Sequence, residues 1–237
     1  MNNLPLLLVP GLMCDQTVWD PLLPQLSPLH ECRVVDHGHA NSLSHMAVQL
    51  LRDAPPEFYI AGHSMGARVA LEVLRIAPER VAGVALLDTG YLPKLAGALG
   101  EEEVRKRMAL LRIAQEQGVR AMAREWVQGM VHPDRLTDAK LIERILAMFE
   151  RKDATVFANQ LHALIHRPDA SDMLSAIRVP TLILCGQQDF WSPPSQHEAM
   201  HQLAPHARLA VIDEAGHMAP MERPEAVAAE MLRWLDT

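Results

Sequence analysis

The sequence predicts an α/β fold, a mainly parallel sheet of about six strands with helices on both faces and a helical lid. Three observations carry this. Short apolar runs alternate with segments of helical period. One run, Phe58-Tyr59-Ile60-Ala61, passes through Gly62-His63-Ser64-Met65-Gly66 straight into a helical pattern. The alternation then breaks once, between Tyr91 and Arg167, where charged, helical-period sequence holds no convincing strand.

Residues 4–9 form a continuous apolar run, as in a parallel strand covered on both faces, and Pro10-Gly11 ends it. The run lacks a basic leader, so it reads as a buried strand and not as a secretion signal. Residues 19–26 predict a short, proline-interrupted helix and 32–36 a second strand. Ser42 or Ser44 caps a helix running to Arg52, with Met46, Leu50 and Leu51 on its buried side. Residues 58–61 make the third strand. In the helix after it Val69, Val73 and Ala77 share a face, and Pro78 stops it. Residues 81–88, 181–185 and 209–212 are the remaining strands, and Pro224 opens a closing helix to Trp234.

Within the interruption Val104, Met108 and Leu111 share one face, as do Val119, Met122 and Trp126, then Leu141, Ile145 and Phe149. Asp153 or Thr155 caps a further helix whose apolar face is Phe157, Leu161, Leu164 and Ile165. This block leaves the carboxyl end of a strand, where sites on parallel sheets lie. It therefore reads as a lid over residues 91–167, with 1–90 and 168–237 as the core.

With 237 residues, the chain is long enough for one large α/β domain. Only 4% of residues are aromatic while 13 are Met, so pocket walls are expected to be aliphatic and thioether, adaptable to varied ligands. A net charge of -7 argues against nucleic acid or an anionic membrane as partner, and no stretch has the apolar length of a membrane span. Cys14, Cys32 and Cys185 are widely spaced with no metal-ligand pattern. Reduced thiols in the cytoplasm, and no metal, are the expectation.

The strand-glycine-serine-glycine-helix turn holds the chemistry. A sharp turn lifts the Ser64 hydroxyl clear of the sheet, Gly62 and Gly66 remove side chains that would collide across it, and the helix amino end points at any oxyanion formed there. A nucleophilic serine needs a base and a group to orient that base. On such a sheet these follow in the order serine, acid, histidine, in loops after later strands. Asp189 follows the strand at 181–185 and His217 the strand at 209–212. Asp88 also ends a strand and is the alternative carboxylate. His63 is expected to be structural, and His37 and His39 to be a solvated turn. The oxyanion donors are expected to be the backbone N–H groups of Met65 and of Leu12, just beyond Pro10-Gly11. Met13, Trp126, Phe149, Phe157, Phe190 and Trp191 are the candidate walls of a medium, mainly apolar pocket, with no evident Arg cluster in the loops.

With these residues placed, the chain resembles the α/β-hydrolase superfamily over nearly its whole length. The matching motifs are Val9-Pro10-Gly11 with Trp19 downstream, Ala61-Gly62-His63-Ser64-Met65-Gly66, Pro180 through Gly186 leading to Asp189, and Gly216-His217 followed by Glu222-Arg223-Pro224. It looks most like the small lidded esterase and lactonase members. Where many relatives have His-Gly this chain has Pro10-Gly11, and Ala67 stands where many have glycine. The resemblance implies a cofactor-free serine hydrolase acting on a small, mainly apolar ester, thioester or lactone. A carbon–carbon hydrolase or lyase on the same triad, or a receptor-like ligand binder with slow turnover, is the alternative. Oligomeric state stays open.

Overall fold

In the computed structural model, which describes residues 4–237, the apolar runs become strands β1 (Leu6–Val9), β2 (Cys32–Val34), β3 (Phe58–His63), β4 (Val81–Leu87), β5 (Thr181–Gly186) and β6 (Arg208–Ile212). The first three residues of the 1–90 segment lie outside the described residues. All pairings are parallel, in the order β2-β1-β3-β4-β5-β6. Leu8 sits opposite Val34 on one side and Ala61 on the other. The chain winds outward from β1 in both directions, so the loops after β1 and β3 leave the sheet side by side. That is the switch point at which parallel sheets place ligands.

Burial follows position in the sheet. Every residue of β1 and β5 is buried, whereas edge strand β6 has Arg208 and Val211 exposed. This explains why the central strands read as unbroken apolar runs.

The helices of the core are α1 (Leu23–Leu26), α2 (Leu43–Asp53) and α3 (Met65–Ile76), then α8 (Ser171–Ala176), α9 (Pro194–Leu203), α10 (Ala219–Glu222) and α11 (Pro224–Leu235). Right-handed crossovers put α2, α3 and α9 on one face of the sheet, with α8 packed between α3 and α9, and put α1 on the other face against α11. Ser42 caps α2, its hydroxyl accepting from the His45 N–H at 3.2 Å.

Between β4 and α8 come α4 (Gly97–Gln117), α5 (Val119–Trp126), α6 (Ala139–Glu150) and α7 (Ala154–Ile165), the last capped by Asp153, which accepts from the Val156 N–H at 2.8 Å. In α4 the expected face is turned. Met108 is 47% exposed, and the covered side carries Gly100, Leu111 and Ala114 with Glu103 and Arg107 in the same stripe. The helix packs on α5 and α7 along this stripe and shows its polar members to a cavity. Apolar periodicity could not reveal this. Nor could it reveal α9, in which only His197 and Met200 are buried.

Candidate active site

Ser64 joins β3 to α3 at φ 54° and ψ −116°. A non-glycine residue held there costs about 1–3 kcal/mol and needs its surroundings to hold it. Here the Ser64 N–H donates to the Leu87 carbonyl at 2.8 Å, and the Thr89 hydroxyl donates to the Ser64 carbonyl at 2.9 Å. A Cβ on Gly62 would lie 2.4 Å from the Ala67 backbone, and one on Gly66 2.1 Å from the Val9 carbonyl. The elbow thus closes only with glycine at both positions.

The structure brings the three residues of the sequence-derived constellation together. Ser64 Oγ lies 2.8 Å from His217 Nε2, and His217 Nδ1 lies 2.8 Å from Asp189 Oδ2. Asp189 Oδ1 accepts from the Trp191 and Ser192 N–H groups, both at 2.9 Å. Burial alone would raise the Asp189 carboxyl; the His217 imidazole and these two N–H groups outweigh it and hold the group below its ordinary value. An ionised Asp189 fixes the tautomer: Nδ1–H donates to the carboxylate and Nε2 is left to accept from Ser64.

The loop carrying His217 is tied to the helical block. The His217 N–H donates to the Met130 carbonyl at 2.8 Å. Buried Glu222 accepts from Gly216 and Met218 N–H groups through Oε1 (2.9 and 3.2 Å) and from the His132 N–H through Oε2 (2.7 Å).

Asp88, the alternative carboxylate, makes no bond to His217. Its Oδ1 accepts from the Gly186 N–H at 2.9 Å, and its Oδ2 lies 3.8 Å from His63 Nε2. His63 donates from Nε2 to the His217 carbonyl at 2.7 Å. Burial and then the neighbouring His217 lower its ring to about 3, so it is neutral.

The loop after β1 is fixed at two points. The Met13 N–H, at φ 61°, donates to Oε1 of wholly buried Gln160 at 2.8 Å, and His37 Nε2 donates to the Pro10 carbonyl at 2.9 Å. His37 is therefore buried support for this loop and not part of a solvated turn; His39 alone is exposed. Neither the Leu12 nor the Met65 N–H donates to any group among the described residues. Both residues line the same cavity as Ser64 and His217.

That cavity encloses about 490 Å³. Of the expected wall residues, Trp126, Phe149 and Trp191 line it. Met13 does not, being buried beside Gln160. Phe157 is buried behind Trp126, ring centroids 5.6 Å apart, and Phe190 is 69% exposed. Apolar side chains supply more of the wall than polar ones, as expected, yet a cluster that the loops did not reveal lies in it too: Arg68, Arg107 and Arg167 line the cavity with Glu103. They come from α3, α4 and the residues after α7, not from loops near Ser64 in sequence. Their only sequence signal was polar residues on the assumed outer faces of helices. Among the described residues no group of three His, Cys, Asp or Glu side chains could hold a metal ion, and no helix is long and apolar enough to cross a membrane.

Curated relatives span the chain end to end. A pimeloyl-[acyl-carrier protein] methyl ester esterase of Photobacterium profundum is 28% identical over 93% of this chain and 90% of its own. A protein assigned as a carbamate hydrolase in Azorhizobium caulinodans is 27% identical over 96% and 89%. Among solved structures, a thermophilic esterase from Thermogutta terrifontis, solved with malate bound, matches with a TM-score of 0.84 at 28% identity, covering 98% of this chain and 89% of its own. An enol-lactonase from Burkholderia xenovorans LB400 shares the fold with a TM-score of 0.85 at 22% identity, over 100% and 93%. The family model matches residues 6–230, from the first strand into the last helix, and the chain belongs to the alpha/beta hydrolase family.

Proposed function

We propose that this chain is a serine hydrolase of small carboxylic esters, thioesters or lactones, working through an acyl-enzyme. Ser64 attacks the carbonyl while His217 takes its proton and returns it to the leaving alcohol. Asp189 holds the imidazole in the tautomer this needs. The Leu12 and Met65 N–H groups receive the oxyanion, each such donor being worth about 3 kcal/mol in the transition state. Water activated by His217 then releases the acid. Nucleophile, base and oxyanion donors all come from the chain, so the reaction calls on no cofactor.

What supports this reading above all is the hydrogen-bonded relay, Ser64 Oγ to His217 Nε2 and His217 Nδ1 to Asp189 Oδ2, each 2.8 Å, opening into a cavity that two unused N–H groups share. The relatives named above act, by their names, on a methyl ester, a carbamate and a lactone, all attacked at a carboxyl-type carbonyl. Residues 91–167 act in this reading as a lid, roofing the cavity with Trp126 and Phe149. Three unpaired cysteines support a reducing, cytoplasmic setting.

The test is labelling with a fluorophosphonate probe and mass spectrometry of the peptide carrying Ser64, followed by turnover of p-nitrophenyl esters. Labelling at Ser64 that His217→Ala abolishes is the expected result, with Ser64→Ala lowering turnover by about a millionfold. Ester turnover near wild type in Ser64→Ala would overturn the assignment.

A further inference from the structure

The cavity beside Ser64 is not electrically neutral. Arg68 stands one helical turn beyond Ser64 on α3, and Arg107 and Arg167 reach the same space from α4 and from the end of α7. One carboxylate, Glu103, pairs with two of the three. It takes both Nη groups of Arg167 (2.6 and 2.9 Å) and Nε of Arg107 (3.0 Å), which leaves the Arg107 Nη groups with no partner among the described residues. Arg68 faces no carboxylate: its Nη1 donates to the Leu92 carbonyl at 3.1 Å, an oxygen that already accepts from Arg167 Nε at 3.2 Å. Glu72, one turn further along α3, is taken by Arg75 instead. Lys106 adds a fourth cation at the cavity wall, 3.6 Å from half-buried Glu102.

Like charges packed this way oppose one another. Burial, then the charges of Arg167 and Arg107, pull the Arg68 guanidinium down to about 9, still cationic at neutral pH. Arg167 shares the Leu92 carbonyl with Arg68 and the Glu103 carboxylate with Arg107, and its own fork is closed on Glu103. The Arg107 Nη groups and Arg68 Nη2 are left with no hydrogen-bond partner among the described residues, in side chains that line the cavity. A planar carboxylate meets such a fork with two parallel hydrogen bonds.

Resting on the hydrolase reading for its reaction, we propose that Arg68, Arg107 and Arg167 form an anion subsite that takes a carboxylate of the substrate, so that the substrate class is the half-ester of a dicarboxylic acid or a lactone bearing a free carboxylate. The ester end meets Ser64 and the ionised end meets the arginines.

The experiment compares mono-p-nitrophenyl glutarate with p-nitrophenyl pentanoate, which replaces the free carboxylate by a methyl group, on the full chain at pH 7.5. In parallel, glutarate, its diamide and inorganic phosphate are titrated into the wild-type protein by calorimetry. The expected result is a preference of about tenfold or more in kcat/KM for the half-ester, seen mainly in KM, and eroded by 0.5 M salt. Arg107→Gln, on the less enclosed side of the cluster, shrinks that ratio by about tenfold, and Arg107→Lys recovers part of it. Glutarate binds in saturable fashion while the diamide does not. A neutral ester used as well as the half-ester, with no glutarate binding, overturns the subsite, as does inorganic phosphate binding as tightly as glutarate. The hydrolase reading fails separately: glutarate binding that Arg107→Gln weakens, with no ester turned over, leaves the anion subsite standing and removes the reaction.

Discussion

Trp126 of α5 stacks on Trp191 of the loop after β5, ring centroids 5.5 Å apart and planes 20° from parallel, and Trp191 in turn lies 4.9 Å from the His217 ring. The helical block therefore touches the imidazole through two indoles. A stacked aromatic pair contributes about 0.5–1.5 kcal/mol beyond the area it buries. Trp126→Ala is expected to lower kcat on the shortest esters by about three- to tenfold, because the ring that packs beside His217 loses its own support. Steady-state kinetics on p-nitrophenyl acetate check this. Turnover unchanged would mean that the block covers the cavity without steadying the base.

Among the described residues Glu222 is the sole acceptor for three N–H groups, those of His132, Gly216 and Met218, and it lies almost wholly buried. Each buried donor left without an acceptor costs about 1–3 kcal/mol. Glu222→Ala is expected to lower the melting temperature by about 6 °C or more, on a scale of roughly 2–4 °C per kcal/mol for a chain of this size. Activity should fall along with stability, since two of the three donors flank His217. Thermal denaturation followed by circular dichroism reads the first effect and ester turnover the second.

Asp88 and Asp189 respond to pH in opposite directions. Burial, then the Asp189 charge, raises the Asp88 carboxyl well above its ordinary value. Its folded form holds a proton more tightly than its unfolded form. Folding thus loses stability as pH climbs from the unfolded-chain value of about 4 towards the folded one, and above that the penalty is complete. Asp189 is depressed, so its contribution is present above about 4 and is lost as pH falls through its folded value. Asp88→Asn keeps an oxygen for the Gly186 N–H and tolerates the positive φ of 49°. Its stability relative to wild type is expected to improve as pH climbs above about 4 and to level off once the folded value is passed, and melting curves from about pH 4.5 upward measure it. A difference independent of pH would show that Asp88 does not titrate with folding.

The sheet was legible because its central strands are covered on both faces, which forces unbroken apolar runs such as Leu182-Ile183-Leu184-Cys185. The elbow was legible because backbone approach, not side-chain chemistry, dictates Gly62 and Gly66. The cavity wall was not. Reading Val104, Met108 and Leu111 as the buried stripe of α4 assumes that polar residues face water, whereas Glu103 and Arg107 face an internal space. Helical periodicity cannot tell a solvated face from a ligand-facing one. Phe190 and Trp191 make the same point at shorter range. They are adjacent in sequence, yet only Trp191 reaches the cavity, because the Asp189 carboxylate captures the Trp191 N–H and turns the chain there.

Gln160 gave no signal in the sequence, yet its side chain fixes the loop that carries Leu12. Its Oε1 receives the Met13 N–H at 2.8 Å across 147 residues of chain, and Met13 is held at positive φ, so the loop has reason to relax once that bond is gone. In the proposed mechanism, relaxation moves the Leu12 N–H away from the oxyanion, and loss of such a donor costs up to about a hundred- to a thousandfold in kcat. Gln160→Ala displaces the donor without deleting it, so a fall of about ten- to a hundredfold in kcat with KM nearly constant is expected. Gln160→Glu, which retains an acceptor oxygen, should keep more of the rate than Gln160→Ala. Measuring kcat and KM separately on a neutral short ester decides the matter. A change confined to KM would make Gln160 a wall support and remove the Leu12 loop from the oxyanion hole's control.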